Sequence, residues 1–202
     1  ISWAGSTPNA RKYTALADAE MILNGPASTN KWSLPPLPGG VSPALISYVT
    51  SNFLGVKPVI IASGMMHIPP FSHLAFDSPH EGPANCLSLG KAMNPRRVKQ
   101  LWDAGLEMGL RLDKPLLISE CVPGGTTTAQ AVFSALGLDV AELISGSVLK
   151  PPFQLKNKLV AQGLAAACLS SNPLPKNILA AVGDPFQVIA TGLLIGARQV
   201  GQ

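Results

Sequence analysis

Apolar residues recur at helical spacing in several windows of this chain. Between Ser42 and Gly55, the positions Leu45, Ile46, Val49, Phe53 and Leu54 share one side of a 3.6-residue period. Ser42-Pro43 supplies a start signal for that helix and Gly55 a stop. A second helix is predicted from Asn94-Pro95 to about Leu112, with Val98, Leu101, Trp102, Leu106 and Leu110 as its inward stripe. Further helices are expected over about Thr127–Leu136 (stopped by Gly137), Lys156–Leu169, Lys176–Val182 and Pro185–Arg198. Asp184-Pro185 reads as an N-cap followed by proline at the first helical position. Two apolar runs break the helical period: Pro58-Val-Ile-Ile-Ala62 and Pro115-Leu-Leu-Ile-Ser119. Both are short, continuous and bounded by turn residues, which predicts buried strands.

The N-terminal part is less patterned. Thr7-Pro8 is a helix start, and 17–23 admits either a strand or a helix end, stopped by Asn24-Gly25-Pro26. Residues 34–40 read as a rigid Pro-Gly loop and 63–83 as a longer loop dense in Pro, His and Gly. Helices alternating with continuous apolar strands predict a three-layer α/β/α fold around a mainly parallel, Rossmann-like sheet. One domain is expected over 1–202, with 1–40 an N-terminal extension and loop and 41–202 the core. The last pattern is helical, where such a fold returns to another strand. The sheet is therefore expected to be incomplete as written, with the chain cut short on its C-terminal side.

Composition sharpens this reading. Hydrophobic residues at 47% exclude a disordered chain, and charged residues at 13% leave a sparsely charged surface. That surface suits further protein against it, and a homodimer is expected. The net charge of +4 is scattered over Arg11-Lys12, Arg96-Arg97-Lys99 and the stretch from Lys150 to Lys158, with Phe153 the single aromatic between these basic residues. Nucleic acid is not expected as a partner; local cationic spots fit a small anionic substrate better. Cys86, Cys121 and Cys168 lie far apart and form no C-x-x-C, as expected of reduced, mostly buried thiols in a cytoplasmic protein. The longest apolar stretch, 178–197, is interrupted by Gly183-Asp184-Pro185, and Ile1-Ser-Trp-Ala-Gly5 lacks signal-peptide regions. No membrane association is expected.

Candidate chemistry concentrates in Glu120-Cys-Val-Pro-Gly-Gly-Thr-Thr-Thr128, directly after the second predicted strand. Ligands of open α/β sheets sit beyond the carboxyl ends of strands. Gly124-Gly125 can present backbone N–H groups, and the following helix start offers hydroxyls and a positive dipole end to an anion. The plainer reading is a Gly-Gly turn with a threonine cap, Glu120 being a solvated strand end. The run is neither a Walker A loop, which needs a lysine after the glycine, nor G-x-G-x-x-G. His67, His73 and His80, with Asp77 and Glu81, share one loop, but their spacings match no compact metal-binding pattern, so loop capping is expected and no metal. Arg96-Arg97 reads as a solvated helix face.

The run Glu120-Cys-Val-Pro-Gly-Gly-Thr-Thr-Thr-Ala-Gln-Ala resembles the Glu-x-x-x-x-x-Thr-Thr-x-Ala-x-Ala segment of nicotinate-nucleotide–dimethylbenzimidazole phosphoribosyltransferases, in particular their divergent archaeal and cyanobacterial branch. Gly40-Val-Ser42 with Asn52-Phe-Leu-Gly55, Ala181-Val-Gly-Asp-Pro185, Ala190-Thr-Gly192 and Arg11-Lys-Tyr-Thr-Ala-Leu-Ala-Asp-Ala-Glu20 are similar to family segments in the same order. The resemblance implies transfer of 5-phosphoribosyl from nicotinate mononucleotide to a benzimidazole-type azole base in cobamide synthesis, without a cofactor. It implies that Glu120 lines the nucleotide site, that backbone at Gly124, Gly125 and Thr126 with Thr127 holds the phosphate, and that Lys158 contacts it. Gly183, Thr191 and Gly192 would line the nucleotide pocket, and Ser42 and Tyr48 the base pocket, where the family's usual Gln and Met are absent. The family's general base is a Glu in a Gly-Glu-Gly segment that this chain does not contain; Glu142 does not match it. Glu120 is then the candidate site carboxylate. The alternative is a nucleotide-binding or assembly module that performs no chemistry; a phosphohydrolase or kinase-like fold lacks its signatures here.

Overall fold

The computed structural model describes residues 7–27, 29–34, 40–78, 80–144, 146 and 150–202. Among these the fold is mixed α/β, with helices α1 (Thr14–Asn24), α2 (Pro43–Leu54), α3 (Pro95–Leu110), α4 (Gly125–Ala135), α5 (Phe153–Ala167), α6 (Pro175–Val182) and α7 (Pro185–Gln199). A small parallel sheet pairs β1 (Ile61–Ala62) with β2 (Leu74–Ala75), Ile61 opposite Leu74. None of these helices is long and apolar enough to cross a membrane.

The capping chemistry sets most boundaries. Ser42 Oγ accepts from the Ala44 N–H at 3.2 Å with Pro43 at N1, and Gly55 closes α2 in the left-handed region. Asn94 caps α3 in the same way, accepting from the Arg96 N–H at 2.8 Å. Asp184 opens α7 with a full capping box: its Oδ1 accepts from the Gln187 N–H, and Gln187 Oε1 accepts from the Asp184 N–H. Thr7 starts only a short turn, its hydroxyl accepting from Ala10 N–H, and the stretch 17–23 is helical, inside α1.

The core lies on both sides of α6, whose residues 178–182 are all buried. One side packs Leu179 and Ala180 with Val98, Leu101, Val188 and Ile189; the other packs Ile178, Ala181 and Val182 with Leu87, Ala131 and Val160. Backbone N–H groups of Ala92 and Met93 donate to the Ala181 and Ala180 carbonyls, satisfying the end of α6. The most extensive helix pair is α3 with α7. It closes through two small-residue motifs, Gly105-x-x-x-Gly109 and Gly192-x-x-x-Gly196, and each glycine lies against backbone of the other helix.

Several expectations are corrected. Cys86 and Cys168, expected to be buried, are exposed, and Leu110, expected on the inward stripe of α3, is exposed at the end of that helix. Pro115–Ser119 forms no ladder; it is irregular and its Leu117 is 94% exposed. Among the described residues no strand runs beside it, so nothing pairs its backbone into a sheet and the apolar run is not covered. In Pro58–Ala62 only the last two residues pair. On α2 the apolar stripe faces outward: Ala44 alone is buried, while Ile46, Val49, Phe53 and Leu54 are exposed. Arg97, expected on a solvated face, is buried and binds Asp77 Oδ2 through Nε and Nη2 at 3.0 and 2.6 Å. Its Nη2 also donates to the Gly82 carbonyl at 2.7 Å, which fastens the 63–82 loop onto α3. The loop expected over 34–40 lies mostly outside the described residues.

Candidate functional site

The turn after residue 119 folds around its own side chain. Glu120 Oε2 accepts the Val122 N–H at 2.5 Å, and Gly125 N–H donates to the Val122 carbonyl at 2.7 Å. Gly124 sits at φ +90°, a conformation that suits glycine, and α4 begins at Gly125. The Thr127 N–H and Thr128 N–H both reach the Gly124 carbonyl. Among the described residues this leaves the N–H groups of Gly124 and Thr126 without an acceptor at the positive end of α4. Gly125 is not a free donor, and a Cβ added there would meet Val122, not an opening.

Carboxyl groups converge on this turn from three elements. Thr128 Oγ1 donates to Asp184 Oδ2 at 2.5 Å, which brings the N-cap of α7 to the first turn of α4. The Asp18 carboxyl, on α1, lies near the Cys121 thiol, which partly offsets the rise in its proton affinity. Burial pushes the Asp184 carboxyl above the usual carboxylate range, despite the Thr128 hydroxyl and the Gln187 and Phe186 amides that hold its anion. Partial burial also raises Glu120; the Val122 amide offsets part of this, and the charges of Asp184 and Asp18 raise it further. Desolvation raises Asp18 too. The Cys121 thiol is pushed up by burial and by Asp18 and Glu120, so it stays protonated. These carboxyl groups favour a proton or a developing cation, beside the two free N–H groups at the start of α4.

A small depression of about 40 Å³ lies at the carboxyl ends of β1 and β2. Ser63, Gly64, His67, His73, Asp77 and Gly82 line part of it. Gly64 rests on the Pro185 ring, since a Cβ there would come within 2.7 Å of Pro185 Cγ. The depression and Asp184 therefore flank the same end of α7. Its loop groups already have work within the fold: Asp77 binds Arg97 and the Ser63 hydroxyl, His73 Nδ1 lies 2.8 Å from the Phe71 carbonyl, and His67 stacks on Tyr13 at 4.6 Å.

Of the residues expected at the site, Glu120 and the 124–128 turn meet Asp184. The others stand in structural positions. Ser42 Oγ is taken up as the α2 cap, and the Tyr48 ring covers Gly25 at the end of α1. Thr191 Oγ1 donates to the Gln187 carbonyl within α7, and Gly192 lies against the Trp102 carbonyl of α3. Gly183 ends α6, with Leu179 filling the space of any Cβ. Lys158 is exposed on α5; Lys156, two residues earlier, is the buried lysine and donates to the Ile144 carbonyl at 2.6 Å. Thr127 Oγ1 and Gln130 Oε1 are buried without a partner among the described residues, on the face of α4 from which Gln130 Nε2 reaches Asn157 of α5. Asp18 and Asp184 are not legible as site residues in the sequence. The single hint is that both occur in segments of the family resemblance.

Comparison with known proteins agrees with this architecture. No protein-family model matches the chain. A UPF0284 protein of Prochlorococcus marinus (strain MIT 9313) is 55% identical over 202 residues, spanning 100% of this chain and 50% of that protein. A UPF0284 protein of Cyanothece sp. (strain PCC 7425 / ATCC 29141) is 44% identical, spanning 100% of this chain and 55% of its own length. The chain thus spans about half the length of the curated relatives it matches. The crystal structure of CobT from Thermus thermophilus superposes with a TM-score of 0.70 at 22% identity, covering 98% of this chain and 55% of that one. The fold is CobT-like.

Proposed function

We propose that this chain carries the nucleotide half of a phosphoribosyltransferase that moves 5-phosphoribosyl from nicotinate mononucleotide to a benzimidazole-type base for the lower ligand of a cobamide. The observation that carries the reading is the meeting of Glu120, Asp184 and the Gly124–Thr128 helix start, beside a depression at the carboxyl edge of the sheet, in a CobT-like fold. The resemblance of the Glu120–Ala131 run to the phosphoribosyltransferase segment supports it independently.

In this reading the phosphate rests on the free N–H groups of Gly124 and Thr126 at the start of α4. The C1′–N bond to the pyridinium breaks, nicotinate leaves with the bonding pair, and the ring nitrogen of the incoming base forms the new bond to C1′. The ribosyl carbon becomes cationic on the way, and the carboxylates of Asp184 and Glu120 stabilise it. The incoming azole sheds its N–H proton. Glu120 accepts it, because its raised proton affinity places it nearer the operating pH than an ordinary carboxylate.

Incubating the chain with nicotinate mononucleotide and dimethylbenzimidazole and following released nicotinate tests the reading. Turnover that needs both substrates is expected, and Glu120→Gln should lower it by about 10²-fold or more with the fold intact by circular dichroism. Nucleotide binding without nicotinate release would favour a non-catalytic binding module. No binding at all removes both readings.

A further inference from the structure

We infer that Thr128 is a positioning residue for Asp184: its hydroxyl turns between the Asp184 carboxyl and the Gly125 carbonyl, and so keeps α4 joined to the cap of α7 whether or not that carboxyl carries a proton. The geometry is a chain of three oxygens. Thr128 Oγ1 lies 2.5 Å from Asp184 Oδ2 and 3.0 Å from the Gly125 carbonyl oxygen. A hydroxyl has one proton and two lone pairs, so it does not donate to both at once. With Asp184 ionised, the hydroxyl proton points at Oδ2. The contact with Gly125 is then dispensable, being the back-bond that threonine makes to the preceding helical turn. With Asp184 neutral, a proton taken from solvent sits on Oδ2 and is donated to Thr128 Oγ1, and the threonine O–H swings to Gly125. Each state satisfies the hydroxyl, and no heavy atom has to move between them.

The surroundings place this exchange at Oδ2. Oδ1 is committed to the capping box, where it accepts from the Gln187 N–H at 3.0 Å. Asp184 is only 4% exposed, and among the described residues no salt bridge reaches it. The ionisable groups of the cluster, Glu120 in the turn and Asp18 on α1, are both acids. The loop that rests on Pro185 carries His67 and Asp77, which engage Tyr13 and Arg97 instead. Residues 178–182 of α6, which lead into Gly183, are all apolar. Among the described residues Thr128 is thus the one side chain that donates to the Asp184 anion. Burial pushes that carboxyl up, and the hydroxyl pulls it back. The catalytic consequence rests on the proposed transferase reading. There the ionised form steadies the cationic ribosyl carbon, so Thr128 sets how far into acid the site keeps that charge.

The test follows the ¹³C shifts of carboxyl and carbonyl groups in the full chain by NMR against pH, with Asp184→Asn identifying the Asp184 signal by its loss. Thr128→Val, which removes the hydroxyl and keeps a branched side chain, should raise the Asp184 midpoint by about one pH unit or more, and Thr128→Ser should restore it. A Thr128→Val midpoint equal to that of wild type overturns the inference. Should that variant fail to fold, the wild-type chain decides: the Gly125 carbonyl is expected to titrate with the midpoint of the Asp184 carboxyl, and a Gly125 signal that does not follow Asp184 refutes the turning hydroxyl. These midpoints need no turnover, so a wild type that releases no nicotinate overturns the transferase reading and not this one. In an active chain the acidic limb of nicotinate release should move with the Thr128→Val midpoint; a limb that stays in place overturns the catalytic consequence.

Discussion

A methyl group at Gly109 tests how closely α3 and α7 approach. An ideal Cβ there lies 2.2 Å from the Leu193 carbonyl oxygen and 2.7 Å from the Ala197 nitrogen. Ordinary contact needs about 3.5 Å, so the helices must part by more than ~1 Å along this line. Alanine in a helix interior is worth about 1 kcal/mol over glycine, which favours the variant. Against that stands overpacking, about 1–3 kcal/mol where side chains can yield. Here the obstacles are backbone atoms that cannot rotate away, so the upper end applies or is exceeded. Separation also loosens the layer beneath, where Val98 and Leu101 meet Val188 and Ile189. A net loss of about 2 kcal/mol is expected for Gly109→Ala. With a urea slope of about 2–3 kcal/mol/M, this lowers the midpoint by nearly 1 M. The measurement is urea unfolding followed by far-UV circular dichroism, with exposed Leu194→Ala as a comparison expected to move by no more than about 0.5 kcal/mol. A Gly109→Ala midpoint equal to wild type or above it would show that only helix propensity acts, and the close crossing would be refuted.

Other outcomes follow from the same structure. Asp77→Ala removes the hydrogen-bonded carboxylate of the buried Arg97, leaving half-exposed Glu81 at 3.9 Å, and should cost about 3 kcal/mol, read as a lower thermal midpoint; a change within about 1 kcal/mol would mean that Glu81 or water already balances that arginine. Glu20→Ala strips the acceptor from the Lys31 and Trp32 N–H groups, and should cost about 1–3 kcal/mol and speed amide exchange at those two residues; unchanged exchange would refute that anchoring. The pH dependence has a defined sign. Asp18, Glu120 and Asp184 all have raised folded-state pKa values, so their contribution is fully present below about pH 4 and is lost as pH rises through those values. An Asp184→Asn, Glu120→Gln double variant should therefore gain on wild type as pH rises above about 4; parallel stability curves would contradict the raised values.

The helices are largely legible in the sequence because their caps are local. Ser42-Pro43, Asn94-Pro95 and Asp184-Pro185 each place an acceptor and a proline where the first turn needs them. Periodicity says that a helix has an apolar side, but not whether this chain covers that side, and α2 leaves its own in solvent. Pro115–Ser119 has a strand's composition but lacks a described neighbour to pair with, and pairing is a property of two segments. Gly105, Gly109, Gly192 and Gly196 carry a readable small-residue spacing whose meaning depends on the helices crossing there. The site is half visible. The turn stands out by composition, whereas the approach of Asp184 to Thr128 spans 56 positions and no local pattern records it. Lys156 and Lys158 differ only in helical phase, and a two-residue shift, about 200° around the axis, separates a buried amine from a solvated one.

The uncovered run before Glu120 bears on the fixity of the acid itself. Leu116, Leu117 and Ile118 offer backbone donors and acceptors that no described ladder engages, and Glu120 hangs two residues past Ile118. Its carboxylate is steadied on one side by Val122 and inherits whatever looseness the preceding segment retains. Any strand that zips onto 115–119 would thus act as a splint: hydrogen bonds made at Leu117 would quiet Glu120 without touching it.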